Sequence, residues 1–268
     1  MRIRAGYEIT YDCLATTPMV AMLSVRPERM ADLITAQDMA VSPQVPLRAF
    51  RDGFGNVCHR LTAPKGRITL SADFLIADTG RPDPEDLEAE QHPVDQLPDA
   101  ALQFLLGSRY CETDPLMDLA WEEFGRVRGG GRRVQAVVDY AHQRLEFGYH
   151  HARVDRTASD AHRDRKGVCR DFAHLAIALC RCLNIPARYC TGYLGDIGVE
   201  PVDLPMDFSA WFEAFIGGQW RTFDPRHNRP RIGRILQAHG RDATDVAFTT
   251  SFGRVELAGF KVITEEVA

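Results

Sequence analysis

Residues 167–183 read GVCRDFAHLAIALCRCL, and this stretch predicts the central helix of the fold. After the first turn, apolar side chains cover nearly the whole circumference of a helix, which is typical of a helix buried inside a domain. Asn184 can end this helix in a left-handed conformation, and Pro186 prevents its continuation. The sequence therefore predicts a buried helix that begins near Cys169.

Cys169 stands at the end of this helix that favours a thiolate. The unpaired N–H groups and the positive end of the helix dipole stabilise a charged cysteine at a helix N-terminus. Arg165 and Lys166 add positive charge just before it, and Gly167 lets another chain segment approach closely. These features favour a reactive cysteine, although an ordinary buried cysteine would fit the same position.

Strands follow the helix. One strand is predicted over residues 187–194, and two more are predicted over 208–216 and 219–223. Gly217 and Gly218 join the last two strands, and a two-residue Gly-Gly link between apolar runs is a strong hairpin signal. Because a helix, a strand and a hairpin follow one another here, we expect the functional residues to lie in this part of the chain.

The chain before this segment has a different character. Apolar and polar residues alternate over residues 3–11, and every second residue is apolar over 68–76, which is the period-two pattern of half-buried strands. Residues 80–99 carry several prolines among aspartates and glutamates, which disfavours regular structure. We therefore predict a small β-sandwich domain over residues 1–79, then a linker, and a core domain over residues 100–268.

Charge excludes two classes of partner. The formal net charge is -5, and acidic and basic residues are both spread along the 268 residues. A protein that binds nucleic acid or a membrane surface is expected to carry an excess of one sign, so we predict neither partner. The densest basic run comprises Arg226, Arg229, Arg231 and Arg234. Pro and Gly interrupt this run and no aromatic residue is interleaved, which predicts a solvated loop and not a phosphate-binding groove.

The N-terminus and the cysteines bear on the cellular compartment. The first residues contain no continuous apolar segment, so no signal peptide is predicted. No stretch approaches the ~18 apolar residues of a transmembrane helix. The seven cysteines are odd in number and form no Cys-x-x-Cys pair. This pattern favours a reducing cytoplasm over a disulfide framework or a structural zinc site, and we expect neither a metal nor a cofactor.

Several short segments resemble the transglutaminase-like family in order and spacing: Gly167–Ala173, Ile185–Tyr189, Gly192-Tyr193, Ala210–Glu213 and Trp220–Pro225. The resemblance covers roughly residues 130–230, and residues 1–79 are similar to the β-rich N-terminal domain of bacterial members. It implies an α+β fold: a papain-like core, in which the helix carrying the cysteine packs on an antiparallel sheet, preceded by a small β-sandwich. It also implies amide hydrolysis, or acyl transfer to an amine, through a thioester.

The family pattern combines a cysteine nucleophile, a histidine and an orienting aspartate. In this chain Cys169 occupies the nucleophile position and Asp224 occupies the aspartate position. The residue before Ala-Trp is histidine in the family pattern, and here it is Ser209. Serine cannot take a proton from a thiol near neutral pH, so either another base serves the cysteine or the catalytic pair has been lost.

The register of the hairpin tests this alignment. A two-glycine turn pairs Ile216 with Gln219, so that paired residue numbers sum to 435. Asp224 then faces Trp211 and lies diagonal to position 209 on the same face of the sheet. Position 209 is therefore predicted to be the histidine position of the family, held here by Ser209.

Three alternatives stay open for the base. His227 is the nearest candidate in sequence. An unbroken ladder would turn it to the opposite face, but Pro225 cannot donate to the ladder and is expected to end the strand. His150 and His151 lie in a loop that could fold over the site. The third alternative is that no base is present.

Two functional hypotheses follow. The first is a cytoplasmic thiol enzyme that cleaves or transfers an amide or isopeptide bond of a peptide or protein, with Cys169, Asp224 and His227 as catalytic residues. The candidate pocket residues are Ser209, Trp211 and Tyr193. Hydrolysis and transfer differ in whether water or an amine attacks the thioester, and the sequence does not choose between them. The second hypothesis is a catalytically impaired member of the family that binds peptides or amines.

Overall fold

The computed structural model describes residues 1–201 and 205–267. Its strands, in chain order, are β1 (Arg2–Cys13), β2 (Thr17–Ala21), β3 (Ala40–Ser42), β4 (Arg48–Arg51), β5 (Val57–Ala63), β6 (Gly66–Ala77), β7 (Glu146–Phe147), β8 (Lys166–Gly167), β9 (Ala187–Tyr193), β10 (Ser209–Ile216), β11 (Gln219–Phe223), β12 (Ile235–Gly240), β13 (Thr249–Ser251) and β14 (Val255–Val267). Its α-helices are α1 (Asp99–Leu102), α2 (Met117–Phe124), α3 (Gly130–Arg144), α4 (Ala158–Asp164) and α5 (Cys169–Cys182).

The β-rich region contains two antiparallel sheets that share one core. The first sheet has the order β14-β1-β6-β3, and the second has the order β13-β2-β5-β4. Within the first sheet Ile3 pairs with Ile76 and Ile9 pairs with Leu70. Alternate side chains of both sheets join one buried apolar cluster, and each large side chain contributes about 1.5–3 kcal/mol by its burial. The predicted β-rich N-terminal region is confirmed.

The C-terminal part of the chain returns to these sheets. β14 pairs with β1 from end to end, and β13 pairs with β2. The sequence prediction placed these strands in a core domain over residues 100–268, whereas the structure places them in the β-rich sheets. β14 lies at a sheet edge and most of its side chains are exposed, so it lacks the apolar alternation by which an inward-facing strand is recognised.

The core contains α5 packed on an antiparallel sheet of order β11-β10-β9-β12. Every residue of α5 from Asp171 to Cys182 is buried, as its apolar sequence predicted. The helices α2, α3 and α4 contact α5. Asn184 follows α5 with a φ of 59°, the left-handed conformation expected at this position. The predicted α+β class, in which the helix carrying the cysteine packs on an antiparallel sheet, is confirmed.

The register of the hairpin formed by β10 and β11 determines which side chains near its open end lie beside one another. Gly217 and Gly218 have φ of 58° and 74°, as a type I′ turn requires. Ile216 pairs with Gln219, which confirms the register predicted from the sequence. Asp224 follows directly after β11, at the open end of the hairpin, where β10 begins.

The segment between the sandwich and the core is irregular and folds back over the core. The Asp83 N–H donates to the Arg231 carbonyl oxygen at 2.9 Å, and Asp83 Oδ2 accepts from the Arg231 N–H at 3.0 Å. Further along, Gly131 at the start of α3 lies so close that a Cβ there would come within 2.2 Å of the Asp86 carbonyl oxygen. This segment is therefore held against the core and brings a carboxylate to it.

Candidate active site

A buried carboxylate holds the turn of α5 that carries Cys169. Asp171 Oδ2 accepts from the Val168 N–H at 2.9 Å and from Arg156 Nη1 at 3.3 Å. Arg170 Nη2 approaches the other oxygen at 3.5 Å. A carboxylate in this position satisfies a free N–H group and interacts favourably with the helix dipole. The backbone around the half-buried Cys169 is thereby fixed.

The sulfur of Cys169 lies in mixed charged surroundings. Burial raises the pKa of the thiol to about 11, and the charge of Arg226 opposes this increase. Asp207 raises the pKa further, whereas hydrogen bonds from the N–H groups of Ala210 and Arg170 lower it. The helix terminus therefore does not produce a thiolate by itself, because burial outweighs it. Nucleophilic attack by this thiol needs a neighbouring base.

His227 and Asp224 form a close dyad. His227 Nδ1 lies 2.8 Å from Asp224 Oδ2, and the His227 backbone N–H donates to Asp224 Oδ1 at 3.0 Å. β11 ends at Phe223, so the chain turns after Pro225 and the alternation of an unbroken ladder does not apply to His227. An ionised Asp224 assigns the ring proton to Nδ1 and leaves Nε2 as the acceptor.

Arg234 is the third member of this cluster. Its Nη2 lies 2.7 Å from Asp224 Oδ2. Burial would raise the pKa of Asp224, but the charge of Arg234 and the hydrogen bond from His227 outweigh it and hold the pKa well below its ordinary value. Burial lowers the pKa of His227, Asp224 opposes this, and Arg226 and Arg231 add to the decrease. At neutral pH the dyad is therefore a carboxylate beside a neutral imidazole, as a general base requires.

Position 209 connects the thiol with the dyad. Ser209 and His227 line one cavity of 130 Å³. Its other polar lining residues include Tyr149, Asp207, Arg226, Arg229 and Arg231. The Ser209 Oγ is buried and has no hydrogen-bond partner within the described part of the chain. The N–H of Ala210, the next residue, is one of the groups that lower the pKa of the Cys169 thiol. The structure thus places Ser209 and His227 on one cavity, and the residue after Ser209 acts on the Cys169 thiol.

Trp211 and Tyr193, the other candidate pocket residues, lie in different surroundings. Tyr193 is fully buried and packs edge-on against Phe74, with ring centres 5.7 Å apart. Trp211 is also buried, and the Arg234 guanidinium lies 4.9 Å from its ring centre. Trp211 borders a separate cavity of 760 Å³ between the sandwich and the core. Trp211 therefore supports Arg234, while Tyr193 packs where the core meets the sandwich.

The basic run is not the solvated loop that the sequence predicted. Arg231 is 3% exposed and Arg234 is 8% exposed. Arg234 joins Asp83 to Asp224 with contacts of 2.7 Å to each, and Arg231 Nη2 donates to the Gly195 carbonyl oxygen at 2.8 Å. Buried guanidinium groups are tolerated because carboxylates and carbonyls satisfy them. The prediction was wrong for these two residues because their partners are distant in sequence.

Arg234 and Tyr149 are residues of the site that sequence reasoning missed. Arg234 reaches Asp224 across a loop of ten residues, and no local pattern marks such a contact. Tyr149 reaches the site because β7 pairs with β8, and these strands are two residues long. A strand of that length produces no readable alternation.

Within residues 1–201 and 205–267, no group of three His, Cys, Asp or Glu side chains is placed to hold a metal ion. Asp224 is instead surrounded by arginine and histidine donors, which suits proton transfer. In the same described part of the chain, no helix is long and apolar enough to cross a bilayer.

Comparison with known proteins identifies the family to which this chain is similar. The family model of the transglutaminase-like superfamily matches residues 124–225, which include Cys169, Ser209 and Asp224. A crystal structure of a proposed cysteine protease from Cytophaga hutchinsonii is similar over 99% of this chain and 90% of that chain. The TM-score is 0.85 and the sequence identity is 31%.

Mycobacterial relatives match by sequence. An uncharacterized protein of Mycobacterium leprae is 33% identical over 119 residues, which are 43% of this chain and 42% of that protein. The match therefore spans less than half of the relative. An uncharacterized protein of Mycobacterium tuberculosis is 25% identical over 217 residues, which are 73% of this chain and 68% of that protein. Taken with the match to the Cytophaga structure along nearly its whole length, the family model shows that this chain belongs to the transglutaminase-like superfamily.

Proposed function

We propose that this chain is a thiol-dependent amidase or peptidase in which Cys169 is the nucleophile, His227 the general base and Asp224 the orienting acid. The observation that carries the proposal is the 2.8 Å contact between His227 Nδ1 and Asp224 Oδ2. This contact directs the protonated nitrogen to the carboxylate and leaves Nε2 able to accept the thiol proton. A nucleophile, a base and an orienting acid are the parts that acyl chemistry at a thiol requires.

The reaction begins when the Cys169 thiol proton passes to Nε2 of His227 and the sulfur attacks the carbonyl carbon of the amide. The C–S bond forms and the carbonyl π electrons move to oxygen. When the intermediate collapses, the C–N bond breaks, the imidazolium gives its proton to the leaving amine, and a thioester remains on Cys169. Water or a second amine then attacks the thioester, with His227 again as base, and an acid or a new amide is released.

The base comes from a different point of the chain than in the family pattern. The family order is cysteine, histidine, aspartate, whereas the proposed order here is Cys169, Asp224, His227. Ser209 and His227 line the same cavity, so an imidazole at residue 227 can act in the space that a histidine at residue 209 would otherwise occupy. Triads are defined by geometry and role and not by chain order, which makes this exchange chemically reasonable.

The substrate class and the compartment belong to the same proposal. The likeness to a proposed cysteine protease supports a peptide or protein amide as substrate. The seven cysteines are all free thiols, which supports a reducing compartment such as the cytoplasm.

The pH dependence of alkylation by iodoacetamide tests the proposal. With His227 as base, the rate at Cys169 should level off above the pKa of His227, which burial places below its ordinary value. In His227→Ala the rate should instead rise about tenfold per pH unit toward the thiol pKa of about 11. Mass spectrometry of the labelled peptide assigns the reaction to Cys169, and Cys169→Ala removes it.

His92→Ala is the matched control for the loss of an imidazole. His92 packs against Phe215 with ring centres 6.3 Å apart and does not line the cavity beside Ser209. Its alkylation profile should follow the wild type. If the wild-type profile already rises toward pH 11 and His227→Ala changes nothing, the general-base mechanism is wrong. The binding-module hypothesis, which the serine at position 209 favours, would then take its place.

A further inference from the structure

The segment that carries Tyr149 runs beside the segment that carries Cys169. β7 and β8 pair in parallel, with Phe147 opposite Gly167, and the Gly148 N–H donates to the Gly167 carbonyl oxygen at 3.1 Å. Two residues further along each segment stand Tyr149 and Cys169. The parallel register therefore brings the Tyr149 phenol to the start of α5, although twenty residues separate the two side chains in sequence.

A cation lies beside this phenol. The Arg226 guanidinium lies 3.9 Å from the centre of the Phe147 ring, and its charge lowers the pKa of the Tyr149 phenol. Phe147 and Tyr149 pack edge to face with ring centres 5.3 Å apart. Tyr149, Arg226, Ser209 and His227 all line the 130 Å³ cavity. The phenol and the guanidinium thus share the cavity with the proposed base.

The protonation state of Tyr149 suits a hydrogen-bond donor. Burial raises the pKa of the phenol above its ordinary value, and a negative charge on Cys169 raises it further, whereas Arg226 lowers it. The phenol therefore keeps its proton at neutral pH.

Amide attack creates a negative oxygen that needs donors. One donor is available from the backbone, because the N–H of Cys169 at the start of α5 has no intrahelical acceptor. A second donor beside it completes the arrangement in which thiol and serine acyl enzymes stabilise the oxyanion.

We propose that Tyr149 is a catalytic residue that donates its phenolic O–H to the oxyanion formed when Cys169 attacks the substrate, with Arg226 positioning the phenol. This rests on the proposed function of Cys169. The carbonyl π electrons move to oxygen as the C–S bond forms, and they return to the carbonyl as the C–N bond breaks. Tyr149 keeps its proton throughout, so the step balances with His227 as the group that transfers protons.

Tyr149→Phe tests this role, because it keeps the ring against Phe147 and removes the hydroxyl. Two probes are compared on the whole protein. Iodoacetamide reacts with Cys169 without forming an oxyanion, whereas p-nitrophenyl acetate acylates it through one. We expect the acylation rate to fall about 10²–10³-fold, as for the loss of one oxyanion donor, while the alkylation rate stays within about twofold of the wild type.

Tyr140→Phe is the matched control. Its hydroxyl contacts His162 at 3.4 Å in another part of the core, and both rates should match the wild type. Equal acylation of Tyr149→Phe and wild type would overturn the role of Tyr149 and leave the proposed function standing. A parallel fall in both rates would also overturn it, because Tyr149 would then act on the thiol. A wild type that is alkylated but never acylated at Cys169 would contradict both the proposed function and the role of Tyr149.

Discussion

Arg234 and His227 share a single oxygen of Asp224. Arg234 Nη2 lies 2.7 Å from Asp224 Oδ2, and His227 Nδ1 lies 2.8 Å from the same atom. Because the guanidinium compensates most of the carboxylate charge, Asp224 can orient the imidazole without drawing a proton onto it. Burial of the ring and the charges of Arg226 and Arg231 hold the pKa of His227 down, so that a neutral imidazole stands beside an ionised Asp224 at neutral pH.

We predict that Arg234→Met raises the pKa of His227, because the charge of Asp224 would then act on the imidazole alone. The substitution also leaves Asp83 and Asp224 without their buried partner, so the free energy of unfolding should fall by about 3–5 kcal/mol. An NMR titration of the His227 ring and chemical denaturation measure the two effects. In the control Asp83→Asn, the ion pair between Arg234 and Asp224 persists and the titration of His227 should stay near the wild type. A midpoint that is unchanged or lower in Arg234→Met would contradict this account.

A histidine placed at position 209 should replace His227. In the double variant Ser209→His with His227→Ala, the new imidazole lies diagonal to Asp224 and next to Ala210, whose N–H lowers the pKa of the Cys169 thiol. We expect it to restore the alkylation rate at pH 7 by about tenfold or more over His227→Ala alone, since general-base assistance is typically worth 10²–10⁴-fold.

The control for this experiment is Ser71→His in the same His227→Ala background. Ser71 lies on β6 in the sandwich, so this histidine should restore nothing. If the double variant with histidine at position 209 reacts no faster than the control, position 209 does not face the thiol in the way that the family pattern requires.

Asp171→Asn should destabilise the protein by about 3–5 kcal/mol. Its fully buried carboxylate faces Arg156, and the neutral amide would leave that buried charge without its partner. Asp155→Asn is the comparison, because Asp155 meets Arg153 at the surface and such pairs are worth about 0–1 kcal/mol. Urea denaturation at neutral pH measures both. Equal costs for the two substitutions would show that Asp171 does not hold the start of α5.

Acid should remove the stability that Asp224 contributes. Its pKa in the folded protein lies below the value of about 3.9 expected in the unfolded chain. The contribution is therefore fully present above that unfolded value and is lost as the pH falls toward the folded pKa. We expect the free energy of unfolding to decrease between pH 5 and pH 2 less steeply in Asp224→Asn than in the wild type. Asp95→Asn, in an exposed turn, is the control and should keep the wild-type slope; an equal slope in Asp224→Asn would refute the linkage.

Local sequence signals were sufficient to predict the helix that is buried on all sides and the strands in which every second residue is apolar. The apolar run of α5 predicted a central helix, and β1 and β6 followed from their period of two. The Gly-Gly turn set the register of the hairpin, which in turn related Asp224 to position 209. These features depend on contacts between residues that lie close together in the sequence. Local sequence patterns are therefore enough to predict them.

The sequence alone predicted the resemblance to the transglutaminase-like family, the helix that carries Cys169 and the alignment of Asp224 with Ser209. The tertiary structure was needed for the rest: the return of β14 to the first sheet, the burial of Arg234 against Asp83 and Asp224, and the place of Tyr149 on the cavity beside Ser209 and His227. Each of these depends on segments that meet only when the layers pack. Partners that are distant in sequence determine whether a buried charge or an edge strand is stable. A local periodicity in the sequence therefore cannot predict these features.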